Sequence, residues 1–173
     1  MRHASIGTAI GIVAALALVA GSAQAGKVDL SGGSSVTSGL AKIKIEDFGT
    51  CSDPLTVTLN LGSEARTFVA QDDEGRTYTG TYKQKKPQGR KLLFELDSAS
   101  KKTFKKALKE FAADCLDVAK VKASLKSVKL RGKVNADIDT IKLRAKVKAE
   151  GQAGGERGSA VYSFKTLGAL TLP

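Results

Sequence analysis

The sequence predicts a mainly β protein: an antiparallel meander barrel, or strongly curved sheet, of about eight strands with one amphipathic helix packed on it. Three observations carry this prediction. Apolar and polar residues alternate over most of the chain from about residue 40, turn-forming clusters recur between those runs, and a single stretch at about 99–116 switches to helical period.

The chain opens with Met1-Arg2-His3, an almost uncharged stretch from Ala4 to Ala20 containing Ile12, Val13, Leu16, Leu18 and Val19, and then Ala23-Gln24-Ala25. A charged start, a short apolar run and an Ala-x-Ala end are the parts of a secretory signal peptide, so residues 1–25 are expected to be cleaved near Ala25. The apolar run is short for a membrane span and lacks a basic stop-transfer flank. The expected product is therefore a periplasmic or secreted protein with no transmembrane span in the mature chain. Gly26 to Gly39 holds Ser31-Gly32-Gly33-Ser34-Ser35 and is expected to be a flexible segment, with a single β-rich domain over residues 40–173.

Within that domain, Ile43 and Ile45 alternate with Lys42, Lys44 and Glu46, the period of a half-buried strand. Leu55, Val57, Leu59 and Leu61 alternating with Thr56, Thr58 and Asn60 form the clearest strand. Runs 66–71 and 77–83 flank Asp72-Asp73-Glu74-Gly75, an acidic turn with glycine where positive φ is needed, and predict a hairpin. Leu92, Phe94 and Leu96 mark the next strand after the loop 84–89.

Phe104, Leu108, Phe111, Ala112 and Cys115 recur at helical spacing, and Ser98 or Ser100 is the expected N-cap. Lysines 101, 102, 105, 106 and 109 occupy the other face. Beyond the helix an internal repeat appears: Ser127–Asp137 matches Thr140–Glu150 almost position for position. So short a period predicts two similarly patterned strands joined near Asn135-Ala136-Asp137. Gly151 to Gly158 is expected to be a loop, and Ala160, Tyr162 and Phe164 pattern a last strand.

The segment Thr77-Tyr78-Thr79-Gly80-Thr81-Tyr82-Lys83, followed by Leu92 to Asp97, resembles the meander of exported bacterial lipocalin-like, or calycin, proteins over about a fifth of the chain. The lipocalin Gly-x-Trp signature is absent, as the chain contains no tryptophan. The resemblance implies a meander barrel.

Composition narrows the chemistry. The only histidine, His3, falls in the signal segment, so the mature chain has no imidazole base, no Ser-His-acid triad and no His-rich metal site. The acids Asp72, Asp73 and Glu74, and Asp137 and Asp139, sit in turns without the spacing of a calcium loop or an apolar setting that would raise a carboxyl pKa. No catalytic residue, cofactor or metal is expected. Cys51 and Cys115, the only two cysteines, are expected to form a disulfide, contributing about 4 kcal/mol in the chain-entropy account.

Two candidate sites remain. The first is the barrel interior, with Tyr78, Tyr82, Phe94, Tyr162 and Phe164 as ligand-lining residues for a small apolar or amphipathic molecule. Filling of that space by Phe104, Leu108 and Phe111 is the competing expectation. The second is the repeated hairpin, where Lys129, Arg131, Lys133, Lys142, Arg144, Lys146 and Lys148 fall on one face opposite Val128, Leu130, Val134, Ile141, Leu143 and Val147. Like charges across a strand pair repel, and an anionic partner such as lipopolysaccharide, anionic lipid or acidic glycan would relieve the repulsion. A solvated, aggregation-resistant face is the bland alternative. Nucleic acid is disfavoured because aromatic residues are not interleaved with the cations. A membrane barrel with a lysine-lined lumen and an apolar outer face is the inverse arrangement, and three tyrosines without tryptophan are few for its aromatic girdles.

Overall fold

The computed structural model describes residues 28–63, 65–86, 89–118, 121–153 and 155–173. The expected signal peptide and cleavage site lie outside them. Among the described residues, eight strands in order β1 (Ser34–Ile45), β2 (Gly49–Leu61), β3 (Thr67–Asp72), β4 (Thr77–Gln84), β5 (Lys91–Leu96), β6 (Val121–Val134), β7 (Thr140–Ala153) and β8 (Glu156–Thr171) close into an antiparallel up-and-down barrel, with α1 (Ser98–Leu116) between β5 and β6. Each strand pairs with its sequence neighbours, and β8 returns to β1 from Ser34↔Thr171 to Ile45↔Ala160.

Strand length explains where the helix goes. β6, β7, β8, β1 and β2 run 12 to 16 residues, whereas β3, β4 and β5 run only 6 to 8. The barrel is therefore complete at one end and missing a side at the other. The helix fills the missing side with Phe104, Leu108 and Ala112, all buried. Ala112 joins Ile43 and Ile45 in a small cluster under the helix. The disulfide from Cys51 on β2 to Cys115 on the last turn, with 5.9 Å between Cα atoms, fixes the helix over the gap.

Polar face and apolar face alternate as a barrel requires. Ile43, Val57, Leu59, Leu92, Val134, Ile141, Leu143 and Val147 point inward and are buried. The apolar face of the repeated hairpin thus turns into the core and its cations turn outward, the inverse of an outer-membrane barrel.

Several boundaries correct the sequence reading. From Val28 on, the expected flexible segment 26–39 is built into the fold: Leu30 is 1% exposed and plugs the complete end among Leu61, Val134, Ile141 and Leu170, and β1 starts at Ser34 rather than near Leu40. Its inward positions are Ser35 and Thr37, which hide the apolar alternation. They are satisfied in place, Thr37 Oγ1 lying 3.2 Å from the Val57 carbonyl it donates to and 2.8 Å from Thr166 Oγ1. The helix N-cap is Asp97, whose carboxylate accepts from the Ser100 N–H at 2.7 Å, and not Ser98 or Ser100. The carboxylate reaches that N–H because residue 97 is extended, while Ser100 Oγ accepts from the Thr79 N–H instead. Finally, the expected loop 151–158 is mostly strand, since β7 runs to Ala153 and β8 starts at Glu156. Glycine there lowers strand propensity, but the ladder with the neighbouring strand overrides it.

Close approach of β1 and β8 depends on two glycines. A Cβ at Gly39 would collide with the Lys165 carbonyl, and one at Gly168 with the Val36 carbonyl. These positions let the first and last strands cross tightly enough to close the barrel.

Candidate functional site: the basic outer wall

The interior is the first place to look for a site. Tyr78, Tyr82, Phe94, Tyr162 and Phe164 all belong to the central packed cluster. They pack edge to face rather than around a void: Phe68 on Phe94 at 5.0 Å between centroids, and Phe104 on both Tyr78 and Tyr162 at 6.0 Å. Among the described residues the packed centre keeps two small cavities, one of about 80 Å³ among Val57, Phe68, Leu96, Phe104, Leu130 and Phe164, and one of about 60 Å³ under the helix beside Leu108, Ala112 and Leu125, while a cleft of about 700 Å³ at the mouth is lined by Tyr78, Phe104, Phe111 and Tyr162 together with Asp72 and Arg76. Small-molecule sites span about 300–1,000 Å³. The topology is compatible with a ligand-carrying barrel; the helix and the aromatic residues fill its centre, and the space of ligand size lies at the mouth, where Asp72, Asp73, Glu74 and Arg76 line it beside the tyrosines.

At the open mouth, Arg76 gathers acids. Its Nε donates to Asp72 Oδ2 at 2.7 Å, and its terminal nitrogens reach Glu74 and Glu110 at 2.7 and 3.1 Å. Tyr78 donates to the same Asp72 oxygen at 2.8 Å. Burial pushes the Tyr78 hydroxyl well above the usual phenol range, and the Asp72 carboxylate adds to the shift. For Arg76 burial acts against the charge, yet the bond and charge of Asp72 outweigh it and the guanidinium titrates above its ordinary range. Each strong donor here already has an acceptor, so the cluster ties the β3–β4 turn to the helix. Among the described residues no group of three or more His, Cys, Asp or Glu converges as a metal site.

The outer wall is different. Strand register places every cation of the repeated hairpin directly across from another or beside a neutral residue. Lys129 opposes Lys146, Arg131 opposes Arg144, and Lys133 opposes Lys142. Following the same rows into the flanking strands extends the pattern. One row reads Lys91, Lys133, Lys142, Leu167, Ser38; the next reads Leu93, Arg131, Arg144, Lys165, Leu40. A third reads Lys129, Lys146, Ser163, Lys42, and a fourth Ser127, Lys148, Val161, Lys44. No acid lies within these rows; the exposed Glu95, two residues after Leu93 on β5, borders them on the Lys129 side. The acids at the upper margin are engaged elsewhere, Glu150 with Lys126 at 2.8 Å and Glu46 with Ser159 Oγ at 2.7 Å, a bond that holds the Glu46 carboxyl below its usual range. Among the described residues, none of the cations in the four rows makes an ion pair.

All seven hairpin residues singled out from sequence therefore share one outward face. Sequence reading missed Lys42, Lys44, Lys91 and Lys165. Lys42 and Lys44 carried a signal, being in phase with the outward positions of β1, but only the β1–β8 closure shows which cations they join.

No helix among the described residues is long and apolar enough to cross a membrane. Neither a protein-family model nor any curated protein matches the sequence.

Proposed function

We propose that this is an exported, non-enzymatic binding protein whose outer barrel wall holds an anionic envelope component. The observation that carries the reading is the set of four acid-free rows, in which opposed cations have no partner within the described residues. Such a surface costs stability in the free protein and regains it when phosphate or carboxylate groups arrive at matched spacing. The disulfide supports export, because such bonds persist in oxidising compartments. The up-and-down order supports the lipocalin-like view of the architecture, whereas the filled interior favours function on the outside of the barrel over an enclosed apolar ligand.

The test replaces Arg131, Lys133, Arg144 and Lys146 with Gln and measures binding to anionic vesicles and to lipopolysaccharide over a range of salt. The variant should bind more weakly and with a shallower salt dependence, since exposed charges are screened over about 8–10 Å at physiological ionic strength. Unchanged binding with the same salt slope would remove the wall from the function.

A further inference from the structure

The basic wall is not uniformly polar. Val36, Leu40 and Leu167 are 60%, 48% and 54% exposed, and all three lie on β1 and β8. Register makes them neighbours: Leu167 is opposite Ser38 and Leu40 opposite Lys165, so the two leucines sit diagonally across the strand pair. Both line a shallow groove whose other walls include Lys42, Lys142, Arg144 and Lys165. Exposed aliphatic side chains therefore stand beside four cations of β7, β8 and β1 that make no ion pair among the described residues.

From this arrangement we infer that the anionic partner is a lipid bilayer surface, met by the β7–β8–β1 sector with the leucines entering the headgroup boundary. The inference rests on the anionic-surface reading above and narrows it. A soluble acidic polymer would gain from the cations but nothing from the leucines. A bilayer rewards both, because phosphate headgroups pair with Lys42, Lys142, Arg144 and Lys165 while apolar side chains leave water just below them. Lysine stems reach past aliphatic neighbours and keep their heads at the phosphate level. Three adjacent strands present a strip about 10 Å wide between outer strand axes, which a planar surface can meet without unwinding the barrel. The remaining cations of β5 and β6 curve away and contribute attraction rather than contact.

The experiment uses the full mature chain with three probes: vesicles of phosphatidylglycerol mixed with phosphatidylcholine, vesicles of phosphatidylcholine alone, and soluble polyphosphate. Leu40→Ser/Leu167→Ser should lower affinity for the anionic vesicles by about tenfold and leave polyphosphate binding unchanged. Val69→Ser, at an exposed residue on β3 away from the sector, should change neither. Because the chain contains no tryptophan, Leu167→Trp supplies a second readout in an otherwise intact protein. Its emission should shift to the blue with anionic vesicles and stay put with polyphosphate. If the double variant binds vesicles as well as the parent and the tryptophan stays in water, the membrane inference is overturned while the wall reading stands. If neither anionic probe binds in a salt-sensitive way, the wall reading falls and takes the inference with it.

Discussion

Opposed cations on β5 through β8 store repulsion that a stability measurement can read directly. Replacing Arg131, Lys133, Arg144 and Lys146 with Gln removes all the directly opposed like-charge pairs: Lys129–Lys146, Arg131–Arg144, Lys133–Lys142, Lys91–Lys133 and Arg144–Lys165. With charged heads about 8 Å apart in water, each pair costs about 0.5 kcal/mol before screening. Screening leaves about 0.4 kcal/mol per pair at 10 mM salt and about 0.2 at 150 mM. The variant should thus be more stable than the parent by about 2 kcal/mol at low salt and about 1 kcal/mol at physiological salt. Urea unfolding at both salt concentrations supplies the two differences. A variant that is equally stable or less stable at low salt would mean that the lysine and arginine heads are already compensated in the folded protein and store no repulsion.

Other consequences follow from the same structure. Replacing Cys51 and Cys115 with Ala opens a loop with a sequence separation of 64, which the chain-entropy account values at about 4 kcal/mol. Thermal unfolding should then fall by roughly 10 °C, with hydrogen exchange accelerating first in the last turns of α1. Burial raises the hydroxyl pKa of both Tyr78 and Tyr162, so the folded state keeps their protons above the unfolded-state pKa of about 10. The stability this gives is complete below that pH and is lost as pH rises through it toward the folded values. In a Tyr82→Phe background, phenolate absorbance should therefore appear only together with unfolding. Gly39→Ala forces a methyl against the Lys165 carbonyl and should destabilise by roughly 1–3 kcal/mol in chemical denaturation, whereas Gly49→Ala, with open space around it but positive φ, reports backbone strain alone.

The parts of this fold legible in sequence are those where the alternation is apolar. Leu55 to Leu61 and the hairpin repeat advertise their faces, and the 3.6-residue spacing of Phe104, Leu108 and Ala112 advertises the helix. Ser35 and Thr37 point inward as polar residues, satisfied by partners on β2 and β8 that no local window contains, so the start of β1 reads as linker. The strand ends around Gly151 and Gly158 are held by pairing with each other, again a non-local term. The aromatic residues were identifiable as inward-facing, but whether they line a cavity or fill it depends on where α1 docks. That depends on β3 to β5 stopping short. The basic hairpin was visible by itself, while its extension to Lys42 and Lys165 and the leucines beside them required the closure of β8 on β1.

Under the proposed function the β7–β8–β1 side of the basic wall, and not the lysine-rich face of α1, meets the anionic partner. Amine-reactive footprinting with mass spectrometry tests it in one measurement on the intact protein, comparing lysine modification with and without anionic vesicles at low salt. Protection is expected at Lys42, Lys142, Lys146 and Lys165, with the helix lysines Lys101, Lys102 and Lys106 modified at the same rate in both samples. Protection of the helix lysines while the wall stays reactive would contradict it.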